Sequence, residues 1–385
     1  PSNSSAPADT PFFSDLRYHF KQYAAFGEGN YHFTDQWTLT VGARYYKFDE
    51  DRLLTFRGFF ANSGNIDVPG KTDSDGVSPR AILSYAMSSD VTFNGQISRG
   101  FRLGGINDPL NTPICGPHDA AKYGAVFNTT WNDEKTWNYE LGMKSRFMDG
   151  RVTFNASVFQ ANIDDLQANV DAGNCSSRMV VNVPKSRSTG FELELFARPD
   201  EHWDFGISAT VVDAKLRSTV TTTYQDPDQG GATVTENIGG LTDGNRLPTS
   251  PKFQGAASAG YQWDWSTGLK GFANLTWQYV GSSFTQIADQ APPTGCIGCA
   301  GAPGFISYGD PSITQFTFNP ELPSYSLGNF RIGVRSGDWE AAAYVSNITD
   351  EIAFLSLDRE RGTRARVGYL TNQPRTIGVT LNKKF

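Results

Sequence analysis

Long apolar runs are absent from this 385-residue chain: no stretch approaches 18 apolar residues, and the mean hydropathy is −0.40. That excludes a transmembrane helix. It does not exclude a membrane strand, in which lipid-facing and lumen-facing residues alternate and average out. Basic residues are also scarce, with 33 Lys plus Arg against 40 Asp plus Glu and a net charge of −7. No basic patch for nucleic acid is therefore expected. The four histidines, His19, His32, His118 and His202, are scattered with no ligand spacing, so no metal site is expected either. Cysteine is sparse: Cys115, Cys175, Cys296 and Cys299 all fall in segments read as loops. Such usage suits an oxidising compartment rather than a buried metal cluster. No Ser/His/Asp order, phosphate-cradling glycine loop or paired-carboxylate motif is present, and neither an enzyme nor a cofactor is expected. The opening PSNSSAPADTP has no charged start and no apolar core of a signal peptide. Either a targeting segment has been removed, or the chain is the C-terminal portion of a longer protein.

What the chain does have is glycine (39), aromatics (13%) and strict alternation. In the closing stretch Ile377, Val379, Leu381, Lys383 and Phe385 share one parity. Thr376, Gly378, Thr380, Asn382 and Lys384 share the other. One face is largely apolar and the other polar or small, as for a strand between two different media. Thirteen such segments are predicted, at 18–33, 37–58, 74–87, 91–104, 133–147, 151–170, 178–198, 202–216, 251–265, 269–287, 324–336, 338–350 and 374–385. Their connections alternate between tight turns, with pairs such as Asp149-Gly150 and Ser336-Gly337, and mostly long segments at 59–73, 105–132, 217–250, 288–323 and 351–373. Only 171–177 in the second class is short. Short turns at one end and long loops at the other is the layout of an outer-membrane barrel. Phe33, Trp37, Phe147, Trp203, Trp263, Trp265 and Trp339 cluster beside the short turns, where an interfacial girdle belongs.

Five motifs then carry a family resemblance. They are Ser98-Arg99-Gly100-Phe101-Arg102 with Gly104-Gly105-Ile106-Asn107, Tyr139-Glu140-Leu141-Gly142-Met143-Lys144, Ser188-Thr189-Gly190-Phe191-Glu192-Leu193-Glu194, Asn347-Ile348-Thr349-Asp350, and the terminal Val379–Phe385. In content and order they resemble the C-terminal part of a TonB-dependent outer-membrane receptor. The resemblance implies an all-β, antiparallel transmembrane β-barrel, with residues 1–385 supplying about strands 10–22 of a 22-stranded barrel. The plug domain and the earlier strands would lie outside this sequence, because an open half-barrel leaves unpaired edges in lipid. Implied partners are TonB with its ExbB/ExbD motor, outer-membrane lipid including lipopolysaccharide, and the barrel assembly machinery. The last would read Ile377, Val379, Leu381 and Phe385. Lys383 departs from the apolar residue common at its position, and at the rim its ammonium can snorkel.

Glu140, Glu192 and Glu194 share lumen-facing parity. At the matching motif positions the family resembles a barrel whose glutamates face plug arginines, and carboxylates in a partly desolvated lumen need cationic partners. Arg44, Arg102, Lys144, Arg331 and Arg335 also point inward by parity; they read as ordinary lumen lining, or as cations that steer an anionic ligand or pair with lumen acids. Tyr123, Phe127, Trp131, Tyr224, Phe305, Tyr308 and Phe316 lie in the long loops. They suit either capture of a ring-bearing ligand or packing of the loops on one another. The Cys296-Ile297-Gly298-Cys299 stretch reads as a local disulfide rather than a redox pair or half a metal site. Cys115 and Cys175 would then join two neighbouring outside loops, although four cysteines permit three pairings. The implied function is TonB-energised uptake of a scarce ligand, foremost a ferric siderophore. Cobalamin, haem or a saccharide, and a passive porin-like channel, are the alternatives.

Overall fold

The computed structural model describes residues 12–57, 66–112, 115–175, 177–291, 294–297, 315–359 and 367–384. Thirteen strands form one antiparallel sheet in strict chain order. They are β1 (Phe13–His32), β2 (Trp37–Arg57), β3 (Ile66–Ala86), β4 (Val91–Arg102), β5 (Glu134–Phe147), β6 (Val152–Asp171) and β7 (Arg178–Ala197). They continue with β8 (Trp203–Leu216), β9 (Phe253–Ser266), β10 (Leu269–Val280), β11 (Tyr325–Ser336), β12 (Trp339–Ser346) and β13 (Thr376–Lys383). Each pairs only with its chain neighbours, and β1 and β13 form the two edges of a sheet that does not close on itself.

The two ends of the sheet differ as the loop lengths predict. At one end the turns are tight. Met148, Asp149 and Gly150 sit at φ of 53°, 56° and 81° between β5 and β6, which lets the chain reverse with the hand that matches strand twist. Between β7 and β8 the Asp200 carboxylate accepts the backbone N–H groups of His202 (2.8 Å) and Trp203 (2.9 Å), and these two donors hold its carboxyl below the usual carboxylate range. Just above these turns the outward aromatics meet. Trp37 stacks on Tyr85 with centroids 4.5 Å apart, and Trp203 lies 4.5 Å from Tyr261, which continues to Trp263 and Trp265. The Lys383 ammonium sits 5.1 Å from the Trp339 ring. A cation over an indole at the rim keeps its charge in water while its stem covers apolar surface.

Several predicted boundaries move. β1 begins at Phe13 rather than 18, and β3 at Ile66 rather than 74, so much of the expected 59–73 loop is strand. These upper portions extend past the membrane, where neither face meets lipid and alternation carries no signal. β12 ends at Ser346, and Asn347 and Asp350 turn the chain at positive φ. Three of the long connections contain regular elements among the described residues. Residues 105–132 contain helix α1 (Pro117–Val126), and 217–250 contain a hairpin pairing Thr221–Asp226 with Ala232–Asn237. Residues 351–373 pair Phe354–Arg359 with Val367–Thr371.

Burial follows the same polarity. The largest apolar cluster among the described residues is at the long-loop end, not along the barrel wall. It joins Val170 of β6, Met179 and Val183 of β7, Leu216 of β8, and Leu110, Cys175, Ile238, Leu241 and Ile287 from the loops. Asp165, at φ 55°, interrupts the β6–β7 ladder between Asp164↔Lys185 and Leu166↔Val183, just below this cluster. The wall needs no core because lipid covers one face; the mouth has no lipid and must bury its own apolar surface.

The lumen wall and its mouth

On the inner face of β2–β8 lies a concavity of about 620 Å³ with a mainly polar lining, including Asn94, Gln96, Glu140, Asn155, Glu192 and Glu194. Registry brings the three glutamates together from strands far apart in sequence. Glu140 on β5 sits opposite Gln96 and Phe159, Glu192 on β7 opposite Ser157 and Thr210, and Glu194 opposite Asn155 and Ser208. Their nearest side-chain donors are weak: Asn155 Nδ2 is 3.4 Å from Glu194, and Ser157 Oγ is 3.5 Å from Glu192. None of the three makes an ion pair among the described residues. Other wall acids do. Glu28 pairs with Arg80 at 2.5 Å, Glu134 with Arg102 at 2.5 Å, and Glu340 with both Arg331 and Arg335 at 2.7 Å. Of the inward cations, Arg102, Arg331 and Arg335 are thus engaged by acids of the wall. Lys144 lines the same concavity as the glutamates without an ion pair among the described residues.

At the mouth, α1 packs beside the Thr221–Asp226 strand. Pro117 opens the helix, where its missing N–H costs nothing. Tyr224 is only 6% exposed and its hydroxyl meets His118 Nε2 at 2.9 Å; His118 Nδ1 in turn approaches Asp119 at 3.3 Å. Lys122 reaches Glu236 of the hairpin at 2.5 Å, and Tyr123 packs on the apolar cluster. Cys115 and Cys175 are joined by a disulfide. Cys296 is also disulfide-bonded, while Cys299, Phe305, Tyr308 and the terminal Phe385 lie outside the described residues. Trp131 covers Gly105 so closely that a Cβ there would sit 2.4 Å from the ring. Arg102 donates to Glu134 and, at 3.1 Å, to Gln167 O.

Burial and the surrounding acids Asp119 and Glu236 push the Tyr123 hydroxyl well above the ordinary tyrosine range, and Tyr224 is pushed up to about 12 by burial and the same carboxylates. Both shifts disfavour the phenolate in the folded mouth. Their stabilisation is therefore complete below about pH 10, where the unfolded tyrosines stay protonated, and is lost as pH rises toward the folded values. An ultraviolet titration is expected to show these two phenols ionising after the exposed ones, in step with loss of mouth structure. Early ionisation with the exposed tyrosines would contradict the burial.

One part of the mouth is not announced by any charged motif. Asp133 accepts the Tyr46 hydroxyl at 2.8 Å, the Gly104 N–H at 2.7 Å and the Ser74 hydroxyl. Arg52 donates to Ile106 O (2.8 Å) and Asn107 O (2.9 Å) and pairs with Asp108 at 3.1 Å. Asn107 spans to Asn128 O and, through both side-chain atoms, to Val180 of β7. The Gly104-Gly105-Ile106-Asn107 motif is thus a staple that fixes the loop between β2–β3 and β7. A Cβ at Gly104 would lie 2.3 Å from Trp131 O, so glycine is required for that close approach. The adjacent glycines were the sequence signal for it; the roles of Arg52 and Asp133 had none.

Comparison with known proteins agrees with this architecture. The family model described as TonB dependent receptor-like, beta-barrel matches residues 1–348. The Probable TonB-dependent siderophore receptor PiuA of Acinetobacter baumannii is 24% identical over 223 residues, covering 58% of this chain and 27% of that protein. The Ferric-pyoverdine M114 receptor PbuA of Pseudomonas sp. is 28% identical over 180 residues, covering 46% and 19%. Among solved structures, the ferric yersiniabactin uptake receptor FyuA from Yersinia pestis superposes with a TM-score of 0.70 at 18% identity, over 97% of this chain and 47% of that one. The chain spans about half the length of that receptor. Family match, strand order, sorted loops and rim aromatics converge: the chain belongs to the TonB-dependent receptor β-barrel family of the bacterial outer membrane, a family of receptors and not of enzymes.

Proposed function

We propose that the chain forms the C-terminal portion, about strands 10–22, of the barrel of a receptor that takes up a ferric siderophore with energy from TonB and its ExbB/ExbD motor. The observation that carries this reading is the set of three glutamates, Glu140, Glu192 and Glu194, left without ion pairs in one polar concavity while Glu28, Glu134 and Glu340 elsewhere on the wall are paired. A passive pore uses lumen acids as a ring around its constriction; it does not call for three on a single patch of wall. A removable plug bearing cations does, because charge pairs hold it and can be exchanged for water when it moves. The names of the relatives, receptors for siderophores and ferric pyoverdine, supply the ligand class. Ligand would meet the rim around Arg102 and Trp131, while Tyr123 and Tyr224 hold the wall behind. The terminal strand, with Ile377, Val379 and Leu381 on its lipid face, would be read by the barrel assembly machinery.

Growth decides the ligand. A strain lacking the gene is expected to lose growth on a ferric siderophore as sole iron source and to regain it with the full-length gene. Equal growth of the deletion strain on every siderophore tried, beside a defect on cobalamin, haem or a saccharide, would remove iron from the reading and leave the barrel intact.

A further inference from the structure

One acid of the mouth is left out of the staple. On the inner face of β1–β3, registry sets Tyr18, Arg52 and Gly70 side by side, and next to them Phe20, Glu50 and Thr72. Segment 104–108 covers the β3 side of this face. Ile106 lies against Gly70, and the Ile106 and Asn107 carbonyls accept the Arg52 guanidinium, which also pairs with Asp108. Glu50 stands at the border of that cover, half-buried, with no hydrogen bond and no ion pair among the described residues. Acids on the outer face of the same strands are paired: Asp51 with Lys71 at 2.8 Å, Asp67 with Arg57 at 2.9 Å and Asp15 with Arg17 at 3.0 Å. Burial lifts the Glu50 carboxyl above the usual carboxylate range, and the Arg52 charge opposes that only in part.

On the β1 side the same face is open. Tyr18 is 57% exposed and Phe20 48%, and the Phe20 ring is propped by stacking on the buried Phe48 with centroids 5.6 Å apart. A further strand hydrogen-bonded to the free edge of β1 would cover its backbone edge. Inward rings stand perpendicular to the sheet and would stay uncovered. Height places the three residues. Glu50 is thirteen residues above Trp37 on β2, and the next inward cation down that strand, Arg44, is six residues lower. At about 3.4 Å per residue and a tilt of about 40°, Glu50 is roughly 34 Å above the girdle, past an apolar band about 25 Å tall. An uncompensated carboxylate thus stands in the extracellular mouth beside two exposed rings.

We propose, on the strength of the receptor reading above, that Glu50, Tyr18 and Phe20 bind a cationic end of the transported ligand, an ammonium or guanidinium group. A desolvated carboxylate is costly alone and gains most from a full counter-charge. Exposed aromatic faces attract a cation without demanding a hydrogen-bond geometry, and more strongly as the site loses water. An anion would meet Glu50 as a like charge, and a neutral apolar group would bury the carboxylate without compensating it. Both are selected against.

The test uses the full-length receptor in a non-ionic detergent and ligand-observed NMR with two water-soluble probes of similar size, tetramethylammonium and tert-butanol. Wild type is expected to bind tetramethylammonium saturably and tert-butanol at least about ten-fold more weakly. Glu50→Gln, and separately Tyr18→Leu/Phe20→Leu, are each expected to weaken tetramethylammonium by about ten-fold. Heat-modifiable gel migration checks that the variants are folded, and the ring pair serves if Glu50→Gln is not. The proposal is overturned if tetramethylammonium does not saturate wild type, if tert-butanol binds it equally well, or if the folded variants bind tetramethylammonium as tightly as wild type. Growth on ferric siderophores is read separately. Cation binding at Glu50 without such growth keeps this site and removes the siderophore, and growth without cation binding does the reverse.

Discussion

Replacing Glu140 and Glu192 together with alanine in the full-length receptor is expected to raise outer-membrane permeability to bulky antibiotics without lowering the amount of folded barrel. The two carboxylates stand on β5 and β7, across β6 from one another, and their wall neighbours offer them only hydroxyls, amides and a ring. A seated plug cation would approach each in a partly desolvated gap. At 4 Å and an effective dielectric of 20 such a pair is worth up to about 4 kcal/mol before desolvation. Water in the lumen reduces that strongly, toward the ~1 kcal/mol of an exposed pair. Two pairs at an intermediate value give about 3 kcal/mol, enough to shift a plug equilibrium by roughly a hundred-fold. The isosteric Glu140→Gln/Glu192→Gln variant separates charge from packing: it keeps the wall's shape and is expected to leak nearly as much. Permeability unchanged in both double variants would count against plug contact, and Glu194→Ala then tests whether the third carboxylate holds alone.

The wall was legible in the sequence because two solvents write it. Wherever one face meets lipid and the other water, as from Val91 to Ser98, apolar and polar residues must alternate, and the strand is where the alternation is. The same rule explains the misses. Ile66–Ser78 of β3 reads IDVPGKTDSDGVS, with polar residues on both parities because both faces of that part are wet. Its pairing with β2 comes from registry carried up the hairpin, not from any local preference. Helix α1 was hidden for a different reason. Ten residues of modest apolarity cannot be told from loop, and the helix is held by partners distant in sequence, Tyr224 and Glu236 among them.

The lumen glutamates were legible by parity, since each alternates with Leu141, Leu193 or Leu195. What parity could not supply was their pairing state. That Glu28, Glu134 and Glu340 find arginines while Glu140, Glu192 and Glu194 do not depends on which residues stand opposite on the neighbouring strand or one strand beyond. Likewise parity left Arg102 as lumen lining that could steer an anion or pair with an acid, and it is engaged by Glu134 and a carbonyl of β6.

Removing the Cys115–Cys175 disulfide, by Cys115→Ser with Cys175→Ser, is expected to loosen the mouth and leave the wall untouched. Its 60-residue separation would, for a free chain, correspond to about 4 kcal/mol of closure entropy. Most of the enclosed residues belong to β5 and β6, already fixed by their ladders, so the bond constrains mainly the segments around α1 and the turn after β6. About half of that value is the reasonable expectation, on the order of 2 kcal/mol. The loss should appear locally. Cys175 is fully buried in the cluster with Val170, Met179 and Leu241, so a serine there also leaves a polar atom in an apolar site. Protease should cut within 103–133 faster in the variant, ligand affinity should fall by up to about thirty-fold for a loss of that size, and the barrel's own unfolding temperature should stay where it was. A lowered barrel transition with the mouth still protected would mean that the bond braces the wall, and that the apolar cluster with Arg52, Asn107 and Asp133 holds the mouth without it.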